Sequence, residues 1–204
     1  MHLVPTEDEV LDLLRRTGGL REGHFEYRNG LHAREYLQVP LSMRYYETAK
    51  ILSVGLSRLL RAHSDIRAMI PELSVVAPEA GGLPVAYGVC EALRAHQVYW
   101  AERDHNHEPL RFREFFELAR GEKVVLVDDV LRTGRRMTQL KKLVEDNGGE
   151  VIALAVVVHQ PMPGAAAFGE LPFYSLATLQ STFCSGAARC DQCARGVPLT
   201  KVWV

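Results

Sequence analysis

The sequence predicts an α/β fold, a mainly parallel sheet flanked by helices. Short apolar runs bounded by turn residues alternate with stretches of helical periodicity, the pattern of strands joined by crossover helices. One run, Val124 to Val127, is continuously apolar, as in a strand covered on both faces. Glycine pairs punctuate the pattern: Gly81-Gly82 opens one helical stretch and Gly148-Gly149 closes another.

Taken in order, Thr6 caps a first helix, with Glu9 three residues on as its capping-box partner. Val10, Leu13 and Leu14 give that helix one apolar face, and Gly18-Gly19 ends it. Residues 23 to 41 carry a turn signal, Asn29-Gly30, flanked by Phe25, Tyr27, Tyr36 and Leu37, which predicts a hairpin. Ser42 is placed to cap a long helix reaching about His63, with Tyr45, Ala49, Leu52, Leu56, Leu59 and Leu60 on one side. Leu73 to Ala77 is a short strand, followed by a helix bearing Leu83, Ala86, Cys90 and Leu93. Gln97 to Ala101 is a strand ending at Glu102 and Arg103, and a long polar connection, a candidate mobile lid, leads to the central strand. After Asp128, Asp129 and a Thr133-Gly134 turn, Met137, Leu140, Leu143 and Val144 mark a helix. Val151 to Val158 is a strand ending at His159-Gln160, and Leu171 to Leu176 is the last one.

The chain has 204 residues, 47% of them hydrophobic, enough for one core, and a net charge of -1, which argues against a general nucleic-acid or membrane-surface binder. No apolar run is long enough to span a bilayer, and MHLVPTEDEV lacks the basic and apolar regions of a signal peptide. Four cysteines without such a signal suggest a reducing, cytoplasmic setting. The simplest organisation is a single domain over 1–204. It comprises an N-terminal helix and hairpin (1–41), an α/β core (42–178) and a Cys-containing tail (179–204).

The stretch Val124 to Met137, VVLVDDVLRTGRRM, proposes a site. In open α/β sheets, ligands bind beyond the carboxyl ends of the strands. The helix that follows offers backbone N–H groups to a phosphate, and paired carboxylates suit sugar hydroxyls or a hydrated Mg2+. A sugar phosphate would satisfy all three. An ordinary strand-turn-helix with solvated acids fits the residues equally well. Gly81-Gly82 is a second anion-binding candidate, although structural Gly-Gly turns outnumber phosphate sites. His105 and His107, two apart, share a face only in extended chain; solvated loop histidines are the simpler account, a metal pair the other. The tail holds Cys184, Cys190 and Cys193. Cys-x-x-Cys suggests zinc or redox chemistry, but the local sequence supplies no fourth ligand, which favours plain reduced cysteines.

The apolar run, paired aspartates and Thr-Gly turn resemble the phosphoribosyl-diphosphate (PRPP) loop of type I phosphoribosyltransferases. Gly23, His24, Phe25, Gly30, His32 and Tyr36 match a segment of orotate phosphoribosyltransferases, with Asn29 and Ala33 replacing two serines. Ala101-Glu102-Arg103 and the tail CDQCARGVPLTK are similar to a variant of that family, and the likeness runs from about Gly23 to Lys201. It implies the type I fold with a small N-terminal hood. It also implies transfer of phosphoribose from PRPP to orotate in pyrimidine nucleotide biosynthesis, with Mg2+, in a cytoplasmic homodimer, with no nucleic acid or membrane partner.

Carried over residue by residue, the resemblance places Asp128 and Asp129 at the ribose hydroxyls. Val130 is among the substrate-binding residues, Leu131, Arg132, Thr133, Gly134, Arg135 and Arg136 surround the 5-phosphate, and Ala80, Gly81 and Gly82 the diphosphate. Arg103, beside Glu102, assists departure with His105 or His107. Three departures stand out. No lysine occurs between Lys50 and Lys123, where the family's lid carries them, leaving Arg111 and Arg113 as further cations. Gln160 stands where the family has the arginine that meets the orotate carboxylate, and Arg132 where it has a small hydroxyl residue. Two alternatives follow: a phosphoribosyltransferase for another nucleobase, or a PRPP- or nucleotide-sensing protein with little catalysis.

Overall fold

The computed structural model describes residues 4–103, 109–162 and 164–202. The first helix, α1 (Glu7–Arg16), has the expected capping box: Thr6 Oγ1 accepts the Glu9 N–H at 3.2 Å, and the Glu9 carboxylate accepts the Thr6 N–H at 2.8 Å. Strands β1 (Leu20–Tyr27) and β2 (Leu31–Leu37) form the antiparallel hairpin, turned at Gly30 with φ 78°. Then come α2 (Pro40–Met43) and α3 (Tyr46–Ala62). Ser42 therefore does not cap the long helix. It is buried inside α2, where its Oγ accepts a 2.6 Å hydrogen bond from Thr17, and the half-exposed Tyr45 precedes α3. Pro40, suited to the first turn of a helix, starts the separate short turn.

The chain continues through α4 (Ser64–Met69), β3 (Ser74–Pro78), α5 (Gly82–Leu93), β4 (Gln97–Glu102), β5 (Arg111–Phe112), β6 (Lys123–Leu131), α6 (Arg135–Asp146) and β7 (Glu150–His159). It ends with β8 (Phe173–Thr178), β9 (Cys184–Ser185), α7 (Asp191–Ala194) and β10 (Thr200–Val202). Strand β8 starts two residues later than the sequence suggests, because Pro172 has no N–H for a ladder and sits just ahead of it.

The main sheet runs β5-β4-β3-β6-β7-β8, parallel except for the edge strand β5. Successive side chains of β6 alternate between two cores. Val125 and Val127 pack with Leu52, Leu56, Val85 and Val89 of α3 and α5; Val124 and Leu126 pack with Met137, Leu140 and Val144 of α6. Cover on both faces explains why the strand reads as an unbroken apolar run. A second sheet, β10-β1-β2-β9, forms the hood, so the tail and the N-terminal hairpin share one layer. Helix α1 belongs instead to the core, where Val10 and Leu14 are buried.

The connection before β6 is not a free polar flap from Leu110 onward. Leu110 is buried, Phe112, Phe116 and Leu118 pack on the α6-side core, and the Tyr99 hydroxyl donates to the Glu117 carbonyl at 3.0 Å. Its apolar residues anchor this half, whereas the candidate histidines, His105 and His107, lie outside the described residues. Among the described residues, no helix is long and apolar enough to cross a membrane.

Candidate active site

Strand β3 pairs with β6 only from Val124 to Leu126, and then turns away at Pro78 into α5. Strand β6 continues to Leu131 along β7 alone. Asp128 and Asp129 lie in this one-sided extension, near the C-terminal end of the strand, which runs two residues further. The parting of β3 and β6 opens a crevice at the carboxyl ends of the strands. There a cleft of about 680 Å³, the size of a small-molecule site, is lined by Ala80, Gly81 and every residue from Asp128 to Met137. The hood closes its far side with Tyr27, Arg28, Asn29, Tyr36 and Val202.

Asp128 is 2% exposed and accepts the Asp129 N–H at 2.9 Å. Burial first, and the neighbouring Asp129 second, push its carboxyl well above the usual range; Arg136 pulls the other way. Asp128 is thus buried with too little positive charge around it. Gly81 allows the pair to approach: a Cβ there would fall 2.9 Å from Asp129 Oδ2. One residue earlier, the Glu79–Ala80 peptide bond is cis.

Gly134, with φ 74°, makes the turn into α6, and a Cβ on it would stand 3.0 Å from that of Ala166. The first residues of the twelve-residue helix, Arg135 to Met137, line the cleft, so it has a helix N-terminus at its wall. Arg135 and Arg136 flank them. Burial and these two neighbours lower the pKa of Arg103, which places three guanidinium groups in one positive field. Arg103 is held in place by its Nη2 donating to Gln139 and its N–H donating to Glu79 at 2.9 Å.

Arg132 reaches across to the hood. Its Nε donates to Gln160 Oε1 at 2.7 Å, its Nη2 donates to the Leu37 carbonyl at 2.7 Å, and its guanidinium carbon lies 5.6 Å from the Tyr27 ring centre. Gln160 is fully buried, and its Nε2 donates to Ser181 Oγ at 2.8 Å. Desolvation raises the pKa of Tyr27, whose hydroxyl donates to the Glu35 carbonyl at 2.9 Å.

The cleft thus gathers Ala80, Gly81, Asp128, Asp129, Val130, Leu131, Arg132, Thr133, Gly134, Arg135 and Arg136. Four expected residues stand outside its lining. Gly82 packs beneath it, where a Cβ would meet Asp128 Oδ1 at 3.1 Å. Gln160 lies behind Arg132. Glu102 is occupied by Arg113, whose Nε approaches at 2.6 Å, and Arg103 leans on α6 through Gln139. Tyr27, Tyr36 and Val202 join the lining from outside the sequence's candidate site residues. The aromatic pattern around Asn29-Gly30 pointed to the first two; only the pairing of β10 with β1 brings in Val202.

The chain belongs to the phosphoribosyltransferase family: the model of the phosphoribosyl transferase domain matches residues 55–166, more than half of the sequence. Curated relatives named orotate phosphoribosyltransferase match it over most of its length, and adenine phosphoribosyltransferases are among the solved structures of similar fold. The orotate phosphoribosyltransferase of Carboxydothermus hydrogenoformans is 36% identical over 194 residues, 95% of each chain. Among solved structures, orotate phosphoribosyltransferase from Aeropyrum pernix superposes with a TM-score of 0.66 at 20% identity, covering 83% of this chain and 93% of that one. Leishmania donovani UMP synthase gives a TM-score of 0.66 at 18% identity over 86% of this chain, which spans 37% of that longer protein.

Proposed function

We propose that this protein is an orotate phosphoribosyltransferase, converting orotate and PRPP to orotidine 5'-monophosphate and diphosphate. The observation that carries the choice of base is Arg132. The family's arginine at the end of β7 is Gln160 here, yet a guanidinium still stands in the cleft wall, supplied from β6's side and braced by that glutamine. A partly buried, pre-oriented guanidinium suits a carboxylate, and orotate carries one.

In the reaction a bond forms from the base nitrogen to the ribose carbon as the bond to the diphosphate oxygen breaks. Positive charge grows on the sugar and negative charge on the leaving group. Asp128 and Asp129 accept hydrogen bonds from the ribose hydroxyls and offset the positive charge. The turn from Leu131 to Arg136 holds the 5-phosphate through the N-terminus of α6. Backbone from Ala80 to Gly82 and the Arg103 guanidinium receive the diphosphate, with no covalent nucleophile. The paired carboxylates are hard oxygen donors, but no third acid joins them among the described residues. They fit a hydrated Mg2+ brought by the substrate phosphates rather than a protein cage. When bound, that ion neutralises the departing diphosphate. The resemblance further supports the whole chain acting as one unit in a cytoplasmic homodimer.

The test is diphosphate release from PRPP and Mg2+ with orotate against a panel of purine and pyrimidine bases. Turnover with orotate alone is expected. Turnover with an uncharged base and none with orotate would reassign the substrate, and PRPP binding without turnover would make the protein a sensor.

A further inference from the structure

The tail meets the hood at a side-chain cluster outside the cleft lining. His24 on β1, His32 on β2 and the pair Cys190 and Cys193 at α7 each present one ligand atom, and the four atoms lie within 4.8 Å of one another. Nε2 of His24 is 3.1 Å from Nδ1 of His32. Cys190 Sγ lies 3.4 Å from the His24 nitrogen, and Cys193 Sγ lies 3.5 Å from it and 3.4 Å from the His32 nitrogen. A tetrahedral zinc ion, bonded at about 2.0–2.1 Å to nitrogen and about 2.3 Å to sulfur, requires N···N edges of about 3.4 Å and N···S edges of about 3.5 Å. The four observed separations are within a few tenths of an ångström of those edges.

The surroundings fit an ion as well. His24, His32 and Cys190 are 3%, 4% and 5% exposed, so water does not readily serve these polar groups. The cysteines form no disulfide. His24 Nδ1 lies 2.9 Å from the Val197 carbonyl. With its proton given to that oxygen, the ring turns the lone pair of Nε2 inward, the arrangement by which metal-bound imidazoles are oriented. Around the cluster, Gln192 Nε2 donates to the Gly23 carbonyl at 3.0 Å, and Asp191 pairs with Arg34 and Arg195.

The geometry points to a structural zinc site of Cys2His2 type, made by His24, His32, Cys190 and Cys193. Binding displaces the two thiol protons to solvent. Two thiolates and two neutral imidazoles then cancel the charge of the ion, which suits its burial. All four positions are filled by protein, so the ion has no open position for chemistry. Its work is to clamp the 190–193 turn to the hairpin, and through Val197 to set the approach to β10, whose Val202 lines the cleft.

The experiment measures bound zinc in the full chain, purified under reducing conditions, and records the visible spectrum after cobalt exchange. One zinc per chain is expected, with the d–d bands of tetrahedral Co2+ and a thiolate charge-transfer band. Cys190→Ser with Cys193→Ser loses both signals, whereas Cys184→Ser keeps its zinc. Absence of metal after reconstitution with zinc, an octahedral cobalt spectrum, zinc that persists in the double variant, or a Cys190–Cys193 disulfide in the reduced-purified chain would each overturn the proposal. The cobalt spectrum of the unmutated chain decides the matter even where the variants fail to fold. None of these readouts depends on the proposed activity.

Discussion

Arg132 and Gln160 are joined by a 2.7 Å hydrogen bond, and Ser181 fixes the glutamine so that its oxygen faces the guanidinium. The two positions that depart from the family pattern are thus in direct contact just past the ends of β6 and β7. Arg132→Met is expected to raise the KM for orotate about ten- to a hundredfold, the loss of a charge-assisted hydrogen bond of about 1.5–3 kcal/mol. The KM for PRPP should change far less. Steady-state kinetics with each substrate varied checks this, and equal effects on both would remove Arg132 from the base site.

Gln160→Leu keeps the guanidinium but removes its support. Arg132 Nε and Ser181 Oγ lose a partner in a part-buried setting, at a cost of about 1 kcal/mol. Thermal unfolding should show a lowered Tm, and the KM for orotate should rise. An unchanged Tm would mean that water or another group satisfies Arg132 equally well.

Asp128 is expected to oppose stability while serving function. Its folded-state pKa lies above its unfolded value, chiefly through burial. Its contribution to stability is then greatest below the unfolded pKa and declines as pH rises through the folded one. Asp128→Asn should raise stability at neutral pH by about 0.5–2 kcal/mol, nearly abolish turnover, and raise Tm less at acid pH. Differential scanning calorimetry at several pH values tests the sign; a lower Tm at neutral pH would contradict it.

Asp129 is the second cause of that raised pKa. If catalysis needs Asp128 ionised, the acid limb of kcat/KM lies above the ordinary carboxylate range. In Asp129→Asn the residual activity should show an acid limb moved to lower pH, because the like charge is gone. A limb that stays in place would mean another group controls it.

Gly81→Ala places a methyl 2.9 Å from the Asp129 carboxylate. Displacing that carboxylate should reduce kcat/KM at least tenfold, about 1.4 kcal/mol, with little change in Tm. A large fall in Tm would show instead that the alanine disrupts the backbone around the turn.

The strands of the main sheet and the cleft's floor were legible because they rest on short-range patterns, whereas the strand order was not. The apolar run of β6, Gly134 in its turn and the Thr6–Glu9 capping box each act within a few residues. The Ser42 cap failed because its hydroxyl is bonded to Thr17, a contact that local spacing does not contain. The partners of the Cys190–Cys193 motif were hidden for the same reason: His24 and His32, the two that complete the proposed zinc site, sit on the hairpin, far away in sequence. Gln160 could be read as a departure, but not as a brace, since its partners come from Leu131's neighbour and the tail.

Strand β10 lies parallel to β1, with Phe25 beside Thr200 and Tyr27 beside Val202, and His24 meets Val197 across 173 residues of chain. Everything needed for the main sheet has been synthesised once β8 is made, whereas the hood still awaits that return. Contacts separated by so much chain close slowly, because loop-closure entropy must be overcome before they stabilise anything. The barrier to a finished cleft thus lies in joining the two distant segments of its cover, and a refolding trace should show core protection ahead of hood protection.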